Sequence, residues 1–448
     1  MNKTWIKRSL AAACAVTLIV TGCGIQMKTK TITTKDIQDE TTVLKDNQDE
    51  RYKEIEDKLS EIDDLLDKYY LNEDEIDTQT MEDSIMKGYV DGLGEKYTAY
   101  YTAEEFQDLQ ESTSGEYKGI GVMVSQNIDT KTITVIRVFK DNPGDKAGLK
   151  AGDILYKVND EDITGKDVDL VVSKIKGEEG TEVKLTVYRP DTDEYIDMTM
   201  KRESIKEPTV EYEMKEDNIG YVAISSFEEV TEDQFNAALE DLISQGMEGL
   251  VVDLRNNPGG VLDTVCNMLD RILPKDKLLV YTVDKNDNRQ EIVSKTDDTL
   301  DMPIAVVVNG NSASASEVFT GALKDYGKAV IVGETTFGKG IVQTIIPLSD
   351  GSALKMTTSR YYTPSGVCIH GIGIVPDIQI AADGTMIADE ATDESSDTSK
   401  ETESLDKSSK DSSGEALAAD SSESKDSSLD SIDYQLNAAI DAVKAQLK

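Results

Sequence analysis

The chain predicts a multidomain α/β protein, and three features of its 448 residues predict it. Apolar residues alternate with period two over about 115–202, strand-like runs then alternate with helical ones over 203–382, and an acidic Ser-rich stretch separates these from a last helical stripe. The length allows roughly two to four domains of ordinary size. Hydrophobic residues make up 38% and charged residues 30%, enough for real cores beside solvated segments. A formal net charge of −40 argues against nucleic acid as a partner, because phosphate binding needs clustered Lys and Arg. His370 is the sole histidine, which excludes a multi-histidine metal site. Cys266 and Cys368 form no CxxC cluster, so neither a zinc site nor a disulfide scaffold is expected. No metal or cofactor is expected.

The first element is an address. Lys3, Lys7 and Arg8 precede an apolar run over 10–20, too short to span a bilayer, which reads as a secretory signal over 1–22. Val20-Thr-Gly-Cys23 resembles a bacterial lipobox. Acyl chains on Cys23 would then hold the protein on the extracytoplasmic face of the cell membrane. Ordinary secretion with cleavage nearby is the plainer alternative. Residues 23–48 are Thr-, Lys- and Asp-rich and read as a tether. From Tyr52, apolar residues at Ile55, Leu59, Ile62, Leu66 and Tyr69 make a helical stripe, and a second pattern lies near 81–93. These form a helical region over 49–114. The stripe serves either intrachain packing or a homodimer contact.

The β-rich module comes next, over 115–202. Ile120, Val122 and Val124 alternate, as do Val183, Leu185 and Val187, with one helical stretch near 166–175. Over 203–382 the strand-like runs are 221–224, 250–254, 304–308 and 329–332, and the helical ones 231–244 and 314–326. Residues 383–430 read as disordered, since 389–430 carry fourteen acidic residues against four lysines, thirteen serines and no aromatic. Residues 431–448 resume a stripe at Ile432, Leu436, Ile440, Val443 and Leu447, expected to dock on the N-terminal helices or on a second subunit.

Three turns carry candidate chemistry. Asn309-Gly-Asn-Ser-Ala-Ser-Ala-Ser-Glu317 follows an apolar strand, a geometry that exposes a nucleophile and aims helix amides at negative charge. Ser314-x-x-Glu317 is equally a plain capping box, and alone that structural reading outweighs the functional one. Gly333-Glu-Thr-Thr-Phe-Gly-Lys339 matches seven P-loop positions, but Gly340 stands where a magnesium-binding hydroxyl belongs. A lysine among Phe337, Ile341 and Val342 can instead lose its proton by desolvation and take one from a serine, although a surface loop lysine explains it too. Asp253-Leu-Arg-Asn-Asn-Pro-Gly-Gly260 brings glycine amides close to a substrate, or is a simple strand–helix turn. His370 has no serine motif beside it, and a Cys368/His370 nucleophile pair is the weakest reading.

Together these segments resemble the carboxy-terminal processing proteases, the tail-specific serine proteases of the S41 family. The pieces are Tyr117-Lys-Gly-Ile-Gly-Val122, Ala147-Gly-Leu-Lys-Ala-Gly-Asp153, the 253–260 turn, Ser312 to Glu317, Phe337-Gly-Lys-Gly-Ile-Val-Gln343, Tyr362-Thr-Pro-Ser-Gly366, Gly371-Ile-Gly-Ile-Val-Pro-Asp377 and Asp433-Tyr-Gln-Leu436. The resemblance implies a crotonase-like α/β protease core with an inserted PDZ domain and N-terminal helices. It assigns Ser314 as nucleophile, Lys339 as general base and Gln343 as the residue orienting the lysine. It also assigns the backbone amides of Gly260 (or Gly259) and Ala315 to an oxyanion hole. Tyr117, Lys118, Gly119, Ile120 and Gly121 would form the PDZ loop that captures a substrate's terminal carboxylate. Lys176 stands where some relatives carry arginine. The implied function is a serine endopeptidase acting on protein substrates near their C-termini. A non-catalytic PDZ-containing lipoprotein that binds peptides is the alternative.

Overall fold

A computed structural model describes residues 34–297, 299–387 and 432–447. The signal segment, Cys23 and the acidic stretch over 388–431 lie outside the described residues. Residues 1–81 and 82–448 form two compact units. In the first, a helix spans Thr34–Tyr69 and so takes in residues expected to be tether. A helix nucleated downstream extends through Gln, Glu, Asp and Lys at little cost, because propagation is far easier than nucleation. Tyr52, Ile55, Ile62 and Tyr69 of the stripe are exposed.

The second unit is built on a six-stranded sheet in the order Val210–Lys215, Ile219–Ile224, Gly249–Asp253, Ile304–Val308, Ala329–Gly333 and Ile378–Gln379. The first pair is antiparallel and the others are parallel. Ile304–Val308 is Ile-Ala-Val-Val-Val and buried throughout, as a strand covered on both faces must be. Its even residues, Ile304, Val306 and Val308, join Phe235, Leu269 and Phe319 of three helices on one face. Its odd residues, Ala305 and Val307, face Ala439 and Val443 of the terminal helix Tyr434–Gln446. One strand with period two thus supplies both cores.

The terminal helix therefore docks on its own sheet and not on the N-terminal helices or a second subunit. Its stripe fits there because Gly249 leaves a hollow: a Cβ at that position would lie 2.3 Å from Val443 Cγ1. Asp433 caps the helix by accepting from Leu436 N–H at 3.0 Å. The Arg255 guanidinium donates to both Asp433 and Asp253, tying the helix to the end of the strand Gly249–Asp253.

The β-rich module holds its own core, with Ile133, Val135, Val171, Val183, Leu185 and Val187 fully buried. It joins the rest through a two-stranded ribbon, Glu116–Gly119 paired antiparallel with Glu203–Lys206. A further sheet contains Ala99–Tyr101, Leu278–Asp284, Ile341–Pro347 and Ala353–Tyr362, and carries the chain just beyond Lys339. Val443→Ala should lower unfolding free energy by about 1–3 kcal/mol in urea titrations. An unchanged midpoint would show that the terminal helix contributes no packing.

Candidate active site

The buried strand Ile304–Val308 ends in a turn that leads into the helix Ala315–Asp325. Of the turn's serines, Ser312 Oγ donates to the Leu254 carbonyl at 2.7 Å and Ser316 Oγ to the Asn257 carbonyl at 2.9 Å, both buried. Ser314, between them, is half-buried, and its side chain makes no helix-capping bond. Its backbone sits at φ 55° and ψ −113°, outside the ordinary regions for a residue with a side chain. Such a conformation costs on the order of 1–3 kcal/mol and persists only where the surroundings hold it.

Glu317 holds it. This fully buried carboxylate accepts from Ser314 N–H at 2.9 Å and Lys339 N–H at 2.8 Å on Oε2. On Oε1 it accepts from Gly338 N–H at 2.7 Å and the Thr336 hydroxyl at 2.6 Å. The capping glutamate of the sequence reading thus also fixes the lysine loop beside the serine turn.

The glycine turn approaches from the strand Gly249–Asp253. Asn257 Oδ1 accepts from Gly259 N–H at 2.9 Å, and its amide donates to the Ile224 carbonyl at 2.8 Å. Gly260 lies at φ 144°, and a Cβ there would be 2.1 Å from the Phe227 carbonyl oxygen, so only glycine fits. Among the described residues, neither Gly260 N–H nor Ala315 N–H has a hydrogen-bond partner. Gly259 N–H is occupied, so the free donor of the glycine pair is Gly260.

Ser314, Ala315, Gly260 and Gln343 line one cavity of about 510 Å³, otherwise largely apolar. Lys339 is not in that lining. Its Nζ lies 4.8 Å from the centroid of the Tyr97 ring. Burial holds its amine below the usual lysine range, helped by the charges of Lys355 and Lys96 and opposed by those of Glu317 and Glu95. The Gln343 amide donates to the Ile341 carbonyl at 3.5 Å, so the structure does not bring it to the lysine amine. Sequence reasoning missed Tyr361, a buried tyrosine beside the Ser314 side chain whose hydroxyl donates to the Lys339 carbonyl. It also missed Tyr97 and Glu228. Only the aromatic residues of 97–101 hinted at the first of these, and no spacing rule links them to residue 339.

Glu228 is the one charged side chain lining the cavity. Burial pushes its carboxyl up to about 7, with the charge of Glu207 adding to the rise against a hydrogen bond from Ser226. The P-loop reading fails on topology, because Gly333 to Lys339 leads into the strand Ile341–Pro347 and no helix receives a phosphate. His370 is exposed, and burial raises the Cys266 thiol to about 12.

A second cavity, of about 270 Å³, lies in the β-rich module between the sheet-edge strand Val122–Gln126 and the helix Val168–Ile175. Tyr117, Gly119, Ile120 and Gly121 line it. Lys118 does not, being exposed on a strand whose alternate residues face away. Lys176 reaches from this cavity to Glu111 at 3.2 Å, on the helix Ala103–Ser114.

Glu317→Gln should lower unfolding free energy by about 3 kcal/mol, since an amide nitrogen cannot accept from donors that now share two oxygens. An unchanged denaturant midpoint would refute the hub. A carboxyl raised to about 7 binds its proton more tightly in the folded state. Its stabilisation is therefore complete below the unfolded value and is lost as pH rises through about 7. Glu228→Gln should accordingly raise Tm at pH 8 and leave it nearly unchanged at pH 4; equal shifts at both would contradict this.

The family model for peptidase family S41 matches residues 218–380, and that for the PDZ domain matches residues 108–188. A "Probable CtpA-like serine protease" of Staphylococcus epidermidis is 38% identical over 327 residues, covering 72% of this chain and 65% of that protein. The match thus spans just under two thirds of that relative's length. The "Carboxy-terminal-processing protease" of Bartonella bacilliformis is 38% identical over 309 residues, covering 68% of this chain and 70% of that protein. Among solved structures, a "Photosystem II D1 C-terminal processing protease" matches at 28% identity over 70% of this chain and 85% of that chain, with a TM-score of 0.42. With the two domains matched in order and a relative covered over more than two thirds of its length, the chain belongs to peptidase family S41 and carries a PDZ domain.

Proposed function

We propose that the protein is a serine endopeptidase that cleaves protein substrates near their C-termini, with Ser314 as nucleophile and Lys339 as general base. The observation that carries this reading is the pair of unpartnered amides, Gly260 N–H and Ala315 N–H, beside a serine whose hydroxyl caps nothing. Lys339 is half-buried, and its depressed basicity suits a group that must be neutral to accept a proton. The neutral amine takes the Ser314 proton as Oγ attacks the scissile carbonyl. The two amides hold the resulting oxyanion. The amine then passes that proton to the leaving nitrogen as the peptide bond breaks. Water, deprotonated by the same amine, releases the acyl group and regenerates the serine. Gln343, which lines the cavity, is the residue we assign to orient the lysine amine.

The PDZ cavity takes the substrate's terminal carboxylate at the 119–121 backbone and an apolar terminal side chain against Val172 and Ile175. Cleavage is thereby separated from selection. Lipidation at Cys23 would tether the enzyme to the extracytoplasmic membrane face. Homodimerisation would use the exposed Tyr52, Ile55, Ile62 and Tyr69, since the terminal helix is already covered. The alternative, a non-catalytic peptide-binding lipoprotein, leaves the strained Ser314 and the free amides without a purpose.

The chain incubated with an unfolded protein bearing an apolar C-terminus should cleave it. Ser314→Ala and Lys339→Ala should each reduce kcat by at least about 1,000-fold. Substantial cleavage retained by Lys339→Ala at neutral pH would remove the lysine from the mechanism.

A further inference from the structure

We propose that Tyr97 is a positioning residue for the proposed base: its ring face seats the Lys339 ammonium and lets the neutral amine go. This rests on the reading of Lys339 as base. The Lys339 ammonium lies 4.8 Å from the Tyr97 centroid. Among the described residues it makes no hydrogen bond or ion pair, so the ring is its one close attraction. A ring quadrupole attracts a cation and has no such hold on a neutral amine. Losing the proton therefore frees the side chain, and regaining it returns the side chain to the ring.

The surroundings make that balance sensitive. Three lysines meet at this point, each on an aromatic ring: Lys339 and Lys96 on Tyr97, and Lys355 on Tyr101, whose hydroxyl also accepts from the Lys355 amine at 2.5 Å. The charged groups facing Lys339 are Lys96 and Glu95 from the segment before Ala99–Tyr101, Lys355 from Ala353–Tyr362, and Glu317 from Ala315–Asp325. The like charges and the burial favour the neutral amine. The two carboxylates favour the ammonium, and so does the ring. Tyr97 is held where it stands by Glu95, whose carboxylate accepts from Tyr97 N–H at 3.0 Å and from the Thr98 and Thr357 hydroxyls. The segment ahead of the PDZ domain thus reaches the base directly.

The test uses the full chain carrying Ser314→Ala, so that the readout is independent of turnover. Competitive acetylation with acetic anhydride across pH, with Lys339 quantified by mass spectrometry, gives the pH of half-labelling. Tyr97→Leu keeps an apolar cover and removes the ring, and should lower that pH by about one unit. Tyr97→Phe keeps the ring face and should leave it within a few tenths. Tyr97→Trp offers a stronger face and should raise it, which keeps the test alive if the leucine variant does not fold. Half-labelling unmoved in the folded Leu and Trp variants, or moved as far by Phe as by Leu, overturns the proposal. In the chain with Ser314 intact, the acidic limb of kcat/KM should move with the labelling. If labelling shifts as expected and the limb stays, the ring seat stands and the assignment of Lys339 as base fails.

Discussion

The carboxylate of Glu317 accepts hydrogen bonds from the Ser314, Gly338 and Lys339 amides and from the Thr336 hydroxyl, and it is fully buried. Taking a charge out of water costs several kcal/mol unless its lone pairs are satisfied, so this group tolerates little displacement. The serine turn and the lysine loop, which both donate to it, are thereby held in register with each other. The strained backbone of Ser314 persists because the same oxygen that caps its N–H also fixes the lysine loop. The arrangement has an electrostatic consequence. The Glu317 charge favours the ammonium form of Lys339, yet burial and the charges of Lys96 and Lys355 outweigh it. The site thus obtains order from an anion, while the cations around it favour a neutral lysine.

The scaffold delivers the parts of the site along neighbouring strands of one sheet. The strand Gly249–Asp253 runs into the glycine turn, Ile304–Val308 into the serine turn, and Ala329–Gly333 into the lysine loop. Because these strands are parallel and adjacent, their C-terminal ends lie side by side, where ligands bind open α/β sheets. The terminal helix covers the other face and is pinned through Asp433 to Arg255, the residue just before Asn256 and Asn257 of the glycine turn. Its packing and the geometry of Gly260 are therefore linked through a few residues of backbone. The ribbon of Glu116–Gly119 and Glu203–Lys206 carries the PDZ domain as an insertion, and Glu207 at its end lines the PDZ cavity while its charge reaches Glu228 in the other.

Much of this was legible in the residues. Period-two runs marked the strands of the β-rich module, a continuous apolar run marked the doubly buried Ile304–Val308, and the switch to alternating helices marked the α/β core. The serine turn, the lysine loop and the glycine turn were each ambiguous alone. Ser314 with Glu317 reads as a capping box, and the structure forms its carboxylate half, Glu317 accepting from Ser314 N–H, while the Ser314 side chain makes no capping bond. The helix beginning at Thr34 was missed because a polar sequence without an apolar stripe carries no periodic signal.

What the sequence by itself determined is local: strand, turn and helix follow from contacts between residues two to four apart, which leave a period in the chain. What only the tertiary structure decided is which of several equal neighbours keeps its polar group free. Gly260 and not Gly259 keeps its amide free, because Asn257 folds back onto Gly259. Ser314 and not Ser312 or Ser316 keeps its hydroxyl uncapped, because carbonyls from the glycine turn accept from the other two. The terminal helix finds its own sheet through the hollow at Gly249, and Tyr97 meets Lys339 across 242 residues of chain. Such pairings depend on how closed loops place side chains against each other, and closure leaves no spacing in the sequence to read.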